Sequence, residues 1–399
     1  MQLNQEEFAL AAADPPENRG VTNEFAPLPV GVPNRWMYGW PFRGIMSTFR
    51  GVSDTPVPGA FAGDSLVLTS EGNRLVRGRD FEVDDDWGVA TRSREETADI
   101  RADYEFRLLR LDALIELPDG VRSLIRGQSH LSNPIPPLVP AIARHVANVF
   151  IPYRDTPQYL PVATRTSPPS TPEQTHLLRR TADRLRSGTP IRITCWGDSV
   201  TVGGSSSSSW SSFPSVVEHH LQRAGHAATV SVVAVGGTNT PQWLGSTTAS
   251  TALEQVCDSD PDLLVLEFVN DAELDPESWP EVYAEILRRC EEWDCDLLLV
   301  TPHFTRPDWM GHESMSGPDP RPYVHFLRSF CAATGTALAD VSRTWERLWD
   351  RGLPYLTLLR NGINHPDDRG HAIYAREICA ALGILVAEAE APTALDMRD

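Results

Sequence analysis

Hydrophobic positions follow two different periods along this chain, and the change falls near residues 160–172, within LPVATRTSPPSTPEQ. Before that Pro/Ser/Thr-rich linker, short runs alternate apolar and polar residues between Gly, Asp and Pro turns: SLVLTS, NRLVRG, DFEVDDDWGVATR and YEFRLLRLDALIELPDG. A two-residue period marks strands with one buried face. Residues 1–165 therefore predict a β-rich domain of sandwich or jelly-roll type, with a short helix over 140–149. After the linker, runs that are apolar throughout recur: IRITCW (191–196), TVSVVAV (229–235), DLLVLEFV (262–269), DLLLVT (296–301) and TALADV (336–341). Helical periods separate or follow them at 212–224, 248–257, 277–293, 322–334 and 370–383. Strands apolar on both faces between amphipathic helices predict an α/β domain over 172–399, with a parallel sheet covered on both sides. Its first helix should start with Ser170 or Thr171 as cap, Pro172 in the first turn and Glu173 or Gln174 completing a capping box, and end near Gly188.

Composition narrows the function. The 399 residues are 41% apolar, enough for full-sized cores, and no apolar run approaches the length of a membrane span. A net charge of −19 argues against nucleic acid or an anionic membrane as partner, because phosphate binding needs a basic face. The N-terminus lacks a basic segment followed by an apolar core, so no signal peptide is read and a cytoplasmic location is expected. The six cysteines form no CxxC pair and sit in apolar patterns, which predicts reduced buried thiols. Nothing in the pattern sets an oligomeric state.

Two Gly-Asp-Ser tripeptides stand out. One, at 63–65, lies in the β-rich half and reads as a turn leading into the strand VLTS. The other, at 197–199, directly follows an apolar strand and opens a loop before a helix. That loop lies at the carboxyl edge of a parallel sheet, where ligands bind. The same edge receives Gly236 and Gly237 of AVGGTNT, Asn270 and Asp271 of FVNDAE, and His365 of NGINHPDDRGH. His303 and several tryptophans, among them Trp196 and Trp309, also fall at or beside it. His303 has two readings, loop packing or substrate contact. The tryptophans have two as well, core filling or stacking on a sugar ring. His365, Asp367 and His371 match no metal-ligand spacing, so no metal is expected. The serine run 205–209 reads as a mobile loop.

With those four blocks in that order, about 172–385 resembles the SGNH/GDSL-type hydrolases. The resemblance implies a flavodoxin-like three-layer α/β/α domain, ester hydrolysis by a serine and no cofactor. It implies Ser199 as nucleophile and His365 as its base. It implies an oxyanion hole from the backbone N–H groups of Ser199 and Gly237 and the side-chain amide of Asn270. Two positions depart from the family pattern. Phe268 stands where glycine is usual, and Gly362 stands three before the histidine, where an aspartate is usual. Asn361 is the nearest polar residue in that segment, and the expectation is that it orients His365 without supplying a charge. Asp367 or Asp368 could serve instead. The expected substrate is a small-molecule or oligosaccharide ester, with removal of acetyl or another short acyl group. The rival expectations are a lipid esterase or thioesterase of the same fold, or a non-catalytic glycan-binding protein with a degenerate site.

Overall fold

The computed structural model describes residues 4–50, 52–95, 99–162, 170–245, 250–311 and 316–386. The chain divides into two compact units, one of residues 1–164 and 350–364, the other of 165–349 and 365–399. The division differs from the expected boundary in one respect: residues 350–364 leave the second half of the chain and join the first unit. Within that unit Asn148 Nδ2 donates to Gly352 O at 2.7 Å, and Ser132 donates to Arg360 O. These long-range bonds carry no sequence period, so the excursion was invisible to patterning. The 163–169 part of the linker lies outside the described residues.

The first unit is β-rich with antiparallel sheets. Asn18–Phe25, Ile100–Arg107, Phe61–Ser70 and Asn73–Arg74 form one sheet; Arg122–Ile125, Arg110–Glu116, Arg144–Ile151 and Gln158–Pro161 form another. Alternation in Ile100–Arg107 is strict, with Ile100, Ala102, Tyr104 and Phe106 buried. The stretch expected as a helix over 140–149 is a strand instead. Arg144–Ile151 pairs with strands on both sides and is buried from Val146 onward, so cross-strand pairing overrides its local pattern.

The second unit holds five parallel strands, β1 (Ile191–Gly197), β2 (Ala228–Ala234), β3 (Leu263–Glu267), β4 (Asp296–Val300) and β5 (Ala337–Ala339), in the order β2-β1-β3-β4-β5. This is the doubly wound flavodoxin-like order, with its switch point between β1 and β3. The helices used below are α1 (Arg179–Ser187), α2 (Phe213–Arg223), α3 (Thr240–Gly245), α4 (Ser250–Asp258), α5 (Trp279–Glu292), α6 (Pro307–Met310), α7 (Pro322–Thr334), α8 (Val341–Trp345) and α9 (Asp368–Ala381). β3 is buried at every residue, as its unbroken apolar run requires. The expected capping box does not form. Ser170 Oγ bonds Thr344 Oγ1 at 2.8 Å, Thr171 N–H donates to Glu377 at 2.8 Å, and α1 begins only at Arg179. Its end at Gly188, in the left-handed region at φ 71°, is as expected.

Candidate active site

Ser199 follows β1 by two residues. The chain there winds tightly: Val202 N–H donates to Asp198 O at 3.0 Å and Gly204 N–H to Ser199 O at 2.7 Å. Gly204 has to be glycine, because a Cβ would meet Ser199 O at 2.7 Å and the His365 ring at 3.5 Å. His365 stands just before α9, and its Nε2 lies 2.9 Å from Ser199 Oγ. That is hydrogen-bond distance for a base able to take the serine proton.

The side chain of Asp198 ties two loops of the site together. It is fully buried; Oδ1 accepts the Val200 N–H at 3.0 Å and Oδ2 the Asn270 N–H at 3.2 Å. Burial pushes its pKa up to about 6, against those two donors. Beneath it Glu267, at the end of β3, is fully buried too and accepts from Thr201 Oγ1 at 3.0 Å and Tyr374 OH at 3.3 Å. Burial, and then the Asp198 charge, hold Glu267 well above the ordinary carboxyl range. Two adjacent buried carboxyls cannot both ionise cheaply, and of the two Glu267 is the more strongly disfavoured as an anion.

Asn270 lies just beyond β3. Its Nδ2 donates one hydrogen to Thr238 O at 3.0 Å, which fixes the amide plane. Asp271 locks the same pair of loops, accepting Thr240 N–H at 2.9 Å, Thr240 Oγ1 at 2.8 Å and Tyr283 OH at 2.8 Å. Gly237 has φ +75°, a conformation other residues rarely adopt. A Cβ on Gly236 would stand 3.5 Å from that of Ser199, so the glycine pair runs past Ser199. Loops after β1, β2 and β3 are thus bound to one another by Asp198, Asn270 and Asp271, and they bring Ser199, the glycine pair and Asn270 to one edge.

Other sequence-predicted residues stand elsewhere. Trp196 is 1% exposed and packs edge-on against Trp243 and Phe268, with ring centroids 5.7 Å away in each case. It is a core residue, and stacking on a substrate ring does not fit it. His303 is also corrected: it is 0% exposed, and Tyr374 OH takes both its N–H at 2.9 Å and its Nδ1 contact at 2.8 Å. Trp309 is half-buried in α6. Asn361 is buried, and its Oδ1 accepts the N–H groups of Ile363 and Asn364, both at 2.9 Å. It closes the turn whose next residue in the chain is His365. Asp367 caps α9 and binds Arg369, while Asp368 Oδ1 accepts Ser207 N–H at 2.7 Å. The serine run is consequently folded, with Ser205 and Ser206 buried, where a mobile loop was expected.

The role of His371 was missed in the sequence. It is wholly buried: Phe213 N–H donates to Nδ1 at 3.4 Å, so Nε2–H donates to Gly204 O at 3.1 Å. Burial drives its pKa down to about 4, so the ring is neutral and props the loop that carries Ser199. Trp210, also on the loop after β1, is 80% exposed and offers the free aromatic face that Trp196 lacks. The signal for Asp198 was present, inside the tripeptide itself. Among the described residues no cluster of three or more His, Cys, Asp or Glu could hold a metal, and no helix is long and apolar enough to cross a membrane.

Residues 195–373 match the model of the GDSL-like Lipase/Acylhydrolase family. Solved structures to which this chain is similar include a two-domain esterase active on acetylated mannans, co-crystallized with mannopentaose. It is 20% identical, with a TM-score of 0.42, over 53% of this chain and 55% of that one. This chain thus spans little more than half the length of that esterase. An acetyl-xylooligosaccharide esterase from Geobacillus Stearmophilus, in mutant form, is 15% identical with a TM-score of 0.37, over 50% of this chain and 97% of that one. A G-D-S-L lipolytic family member from Veillonella parvula is 16% identical with a TM-score of 0.37, over 49% and 99%. No curated protein matches the chain.

Proposed function

Because residues 195–373 form a GDSL-like lipase/acylhydrolase domain, we propose that this protein is a serine esterase that removes acetyl or another short acyl group from a carbohydrate. The observation that carries the chemistry is the 2.9 Å contact between Ser199 Oγ and His365 Nε2. His365 takes the serine proton as Oγ attacks the ester carbonyl. The carbonyl oxygen becomes an anion, held by the N–H groups of Ser199 and Gly237 and by the second amide hydrogen of Asn270, the first being committed to Thr238. The intermediate collapses, the alcohol leaves with the proton from His365, and water repeats the sequence on the acyl-enzyme. Asn361 is a positioning residue in this scheme, acting through the turn that ends at His365.

The short acyl group is supported by what fills the space beneath the loops. Trp196, Trp243 and Phe268 pack against one another there, so an apolar tunnel for a long chain has no room in that direction. Carbohydrate is supported by the exposed indole of Trp210 on the loop that carries Ser199. The test is a series of 4-nitrophenyl esters from acetyl to octanoyl, with acyl-CoA and acetylated oligosaccharides alongside. Rates should fall steeply with chain length, and acetylated sugars should be turned over. A preference for octanoyl esters or acyl-CoA overturns the carbohydrate reading in favour of a lipid esterase or thioesterase.

A further inference from the structure

The ester chemistry leaves one pair of nucleophilic side chains unused. α5 ends at Glu292, and Asp294 beyond it takes φ +58°. The Asp294 N–H donates to Glu291 O at 3.2 Å and the Cys295 N–H to Cys290 O at 3.0 Å. These two bonds define a Schellman turn, in which the side chains at the two ends of the longer bond meet. Here those ends are both cysteines. Both side chains belong to the same core cluster, and neither thiol is in a disulfide. Cys290 is 2% exposed in the core beside α5, whereas Cys295 is half-buried and reachable. Most such turns join apolar side chains at this place; a thiol pair adds a bond that can form and break.

We propose that Cys290 and Cys295 form a reversible disulfide with low-molecular-weight disulfides such as oxidised glutathione, stapling the end of α5 to the start of β4. The Cys295 thiolate attacks one glutathione sulfur; that S–S bond breaks and one glutathione leaves as thiolate. Cys290 then loses its proton to solvent and attacks the Cys295 sulfur, and the second glutathione leaves and is protonated. Two protein thiols are oxidised, and one small disulfide is reduced to two thiols. The order follows from the environment. The neighbouring Cys290 thiol, aided by the Arg180 guanidinium, holds the Cys295 thiol below its ordinary value, against burial and the charges of Asp296 and Asp262. Cys290 is held well above its ordinary value by the neighbouring Cys295 thiol and by burial. The staple would act on the helix that carries Tyr283, whose hydroxyl holds Asp271 next to Asn270.

Arg289 precedes Cys290, so one tryptic fragment beginning at Cys290 contains both thiols. The folded full chain is equilibrated with oxidised glutathione, alkylated and mapped by mass. In the expected result this fragment is unalkylated and about 2 Da lighter, for the two hydrogens lost, and dithiothreitol restores it. Cys290→Ser should instead retain glutathione on Cys295, and Cys257→Ser should leave the internal bond unchanged. The wild type needs no variant to decide the matter. Full alkylation of both thiols after oxidation overturns the proposal, as does glutathione persisting on wild-type Cys295.

Discussion

The tripeptide Gly-Asp-Ser occurs once in each unit, and the two copies differ in every structural respect. In the β-rich unit Ser65 lies inside the strand Phe61–Ser70, at a register shift against Ile100–Arg107. Its hydroxyl donates to Ala62 O at 2.6 Å and accepts the Glu105 N–H at 2.7 Å. It completes the backbone bonding of a bulge, and Asp64 beside it points to solvent. The sequence expectation of a turn before the strand is corrected to a bulge within it. In the α/β unit Ser199 faces His365, and Asp198 is buried between two loops. The same three residues close a bulge in one place and meet a histidine in the other. What differs is the partner each side chain meets.

The largest test of that contrast is the serine itself. Ser199→Ala should lower turnover of an acetyl ester by at least about 10³-fold, leaving only what binding and the oxyanion donors supply. Ser65→Ala should keep wild-type turnover and lose some stability. A fluorophosphonate should label wild type and Ser65→Ala but not Ser199→Ala, and the opposite pattern would reverse the assignment.

The aspartates come next. Asp198→Asn puts an amide hydrogen against the N–H of Val200 or Asn270, so the loops that carry Ser199 and Asn270 lose a hold. Turnover should fall about 10²-fold, comparable with losing one oxyanion donor. Asp64→Asn should change nothing measurable. The same pair predicts a pH effect. The folded-state pKa of Asp198 is raised, so its contribution to stability is full below its ordinary value near 3.8 and lost as pH rises through about 6. Denaturation of Asp198→Asn should show a weaker loss of stability across that window. An unchanged profile would mean that Asp198 is not the group being titrated.

The glycines sharpen the comparison through packing. A Cβ on Gly197 would meet the backbone oxygen of Glu267 at 2.2 Å, whereas one on Gly63 would meet the Asp85 carboxylate at 2.1 Å. A backbone atom cannot move aside, but Asp85 can, at the cost of its exposed pair with Arg77. Gly197→Ala should therefore cost about 3 kcal/mol in a urea titration and Gly63→Ala about 1. Equal losses would show that the surroundings of the two glycines are equally rigid.

The smallest expected effect concerns the turn before His365. Asn361→Ala should lower kcat about tenfold with KM nearly unchanged, as a misplaced base would. Asn361→Asp should retain activity or raise it. Wild-type kinetics in Asn361→Ala would remove Asn361 from the positioning of His365.

Much of the fold was legible because local and tertiary preferences agree. α7 was read over 322–334 and observed at Pro322–Thr334, since Pro322 sits at its start and Gly335 ends it at φ 71°. Where they disagree, patterning failed. Residues 140–149 gave no local sign of the two strands that claim Arg144–Ile151. Ser170 and Thr171 look like caps, yet Thr344 and Glu377 engage them first. At the site, Ser199, His365, Gly237 and Asn270 could be named from order along the chain. Trp196 and His303 could not be judged, because burial depends on neighbours distant in sequence.

Sequence by itself determined that a parallel sheet would form and that a serine, a glycine pair, an asparagine and a histidine would reach its carboxyl edge. Periodicity dictates which way a strand and helix pack, and connectivity dictates which end of the sheet each loop occupies. Only the tertiary structure decided that Ser65 closes a bulge inside a strand and that Asp198 is a buried clamp. It also decided that Trp210, rather than Trp196, shows its ring to solvent. Hydrogen bonds and desolvation act over a few ångströms in space, and residues 166 apart in the chain, such as Ser199 and His365, come that close only once the sheet has formed.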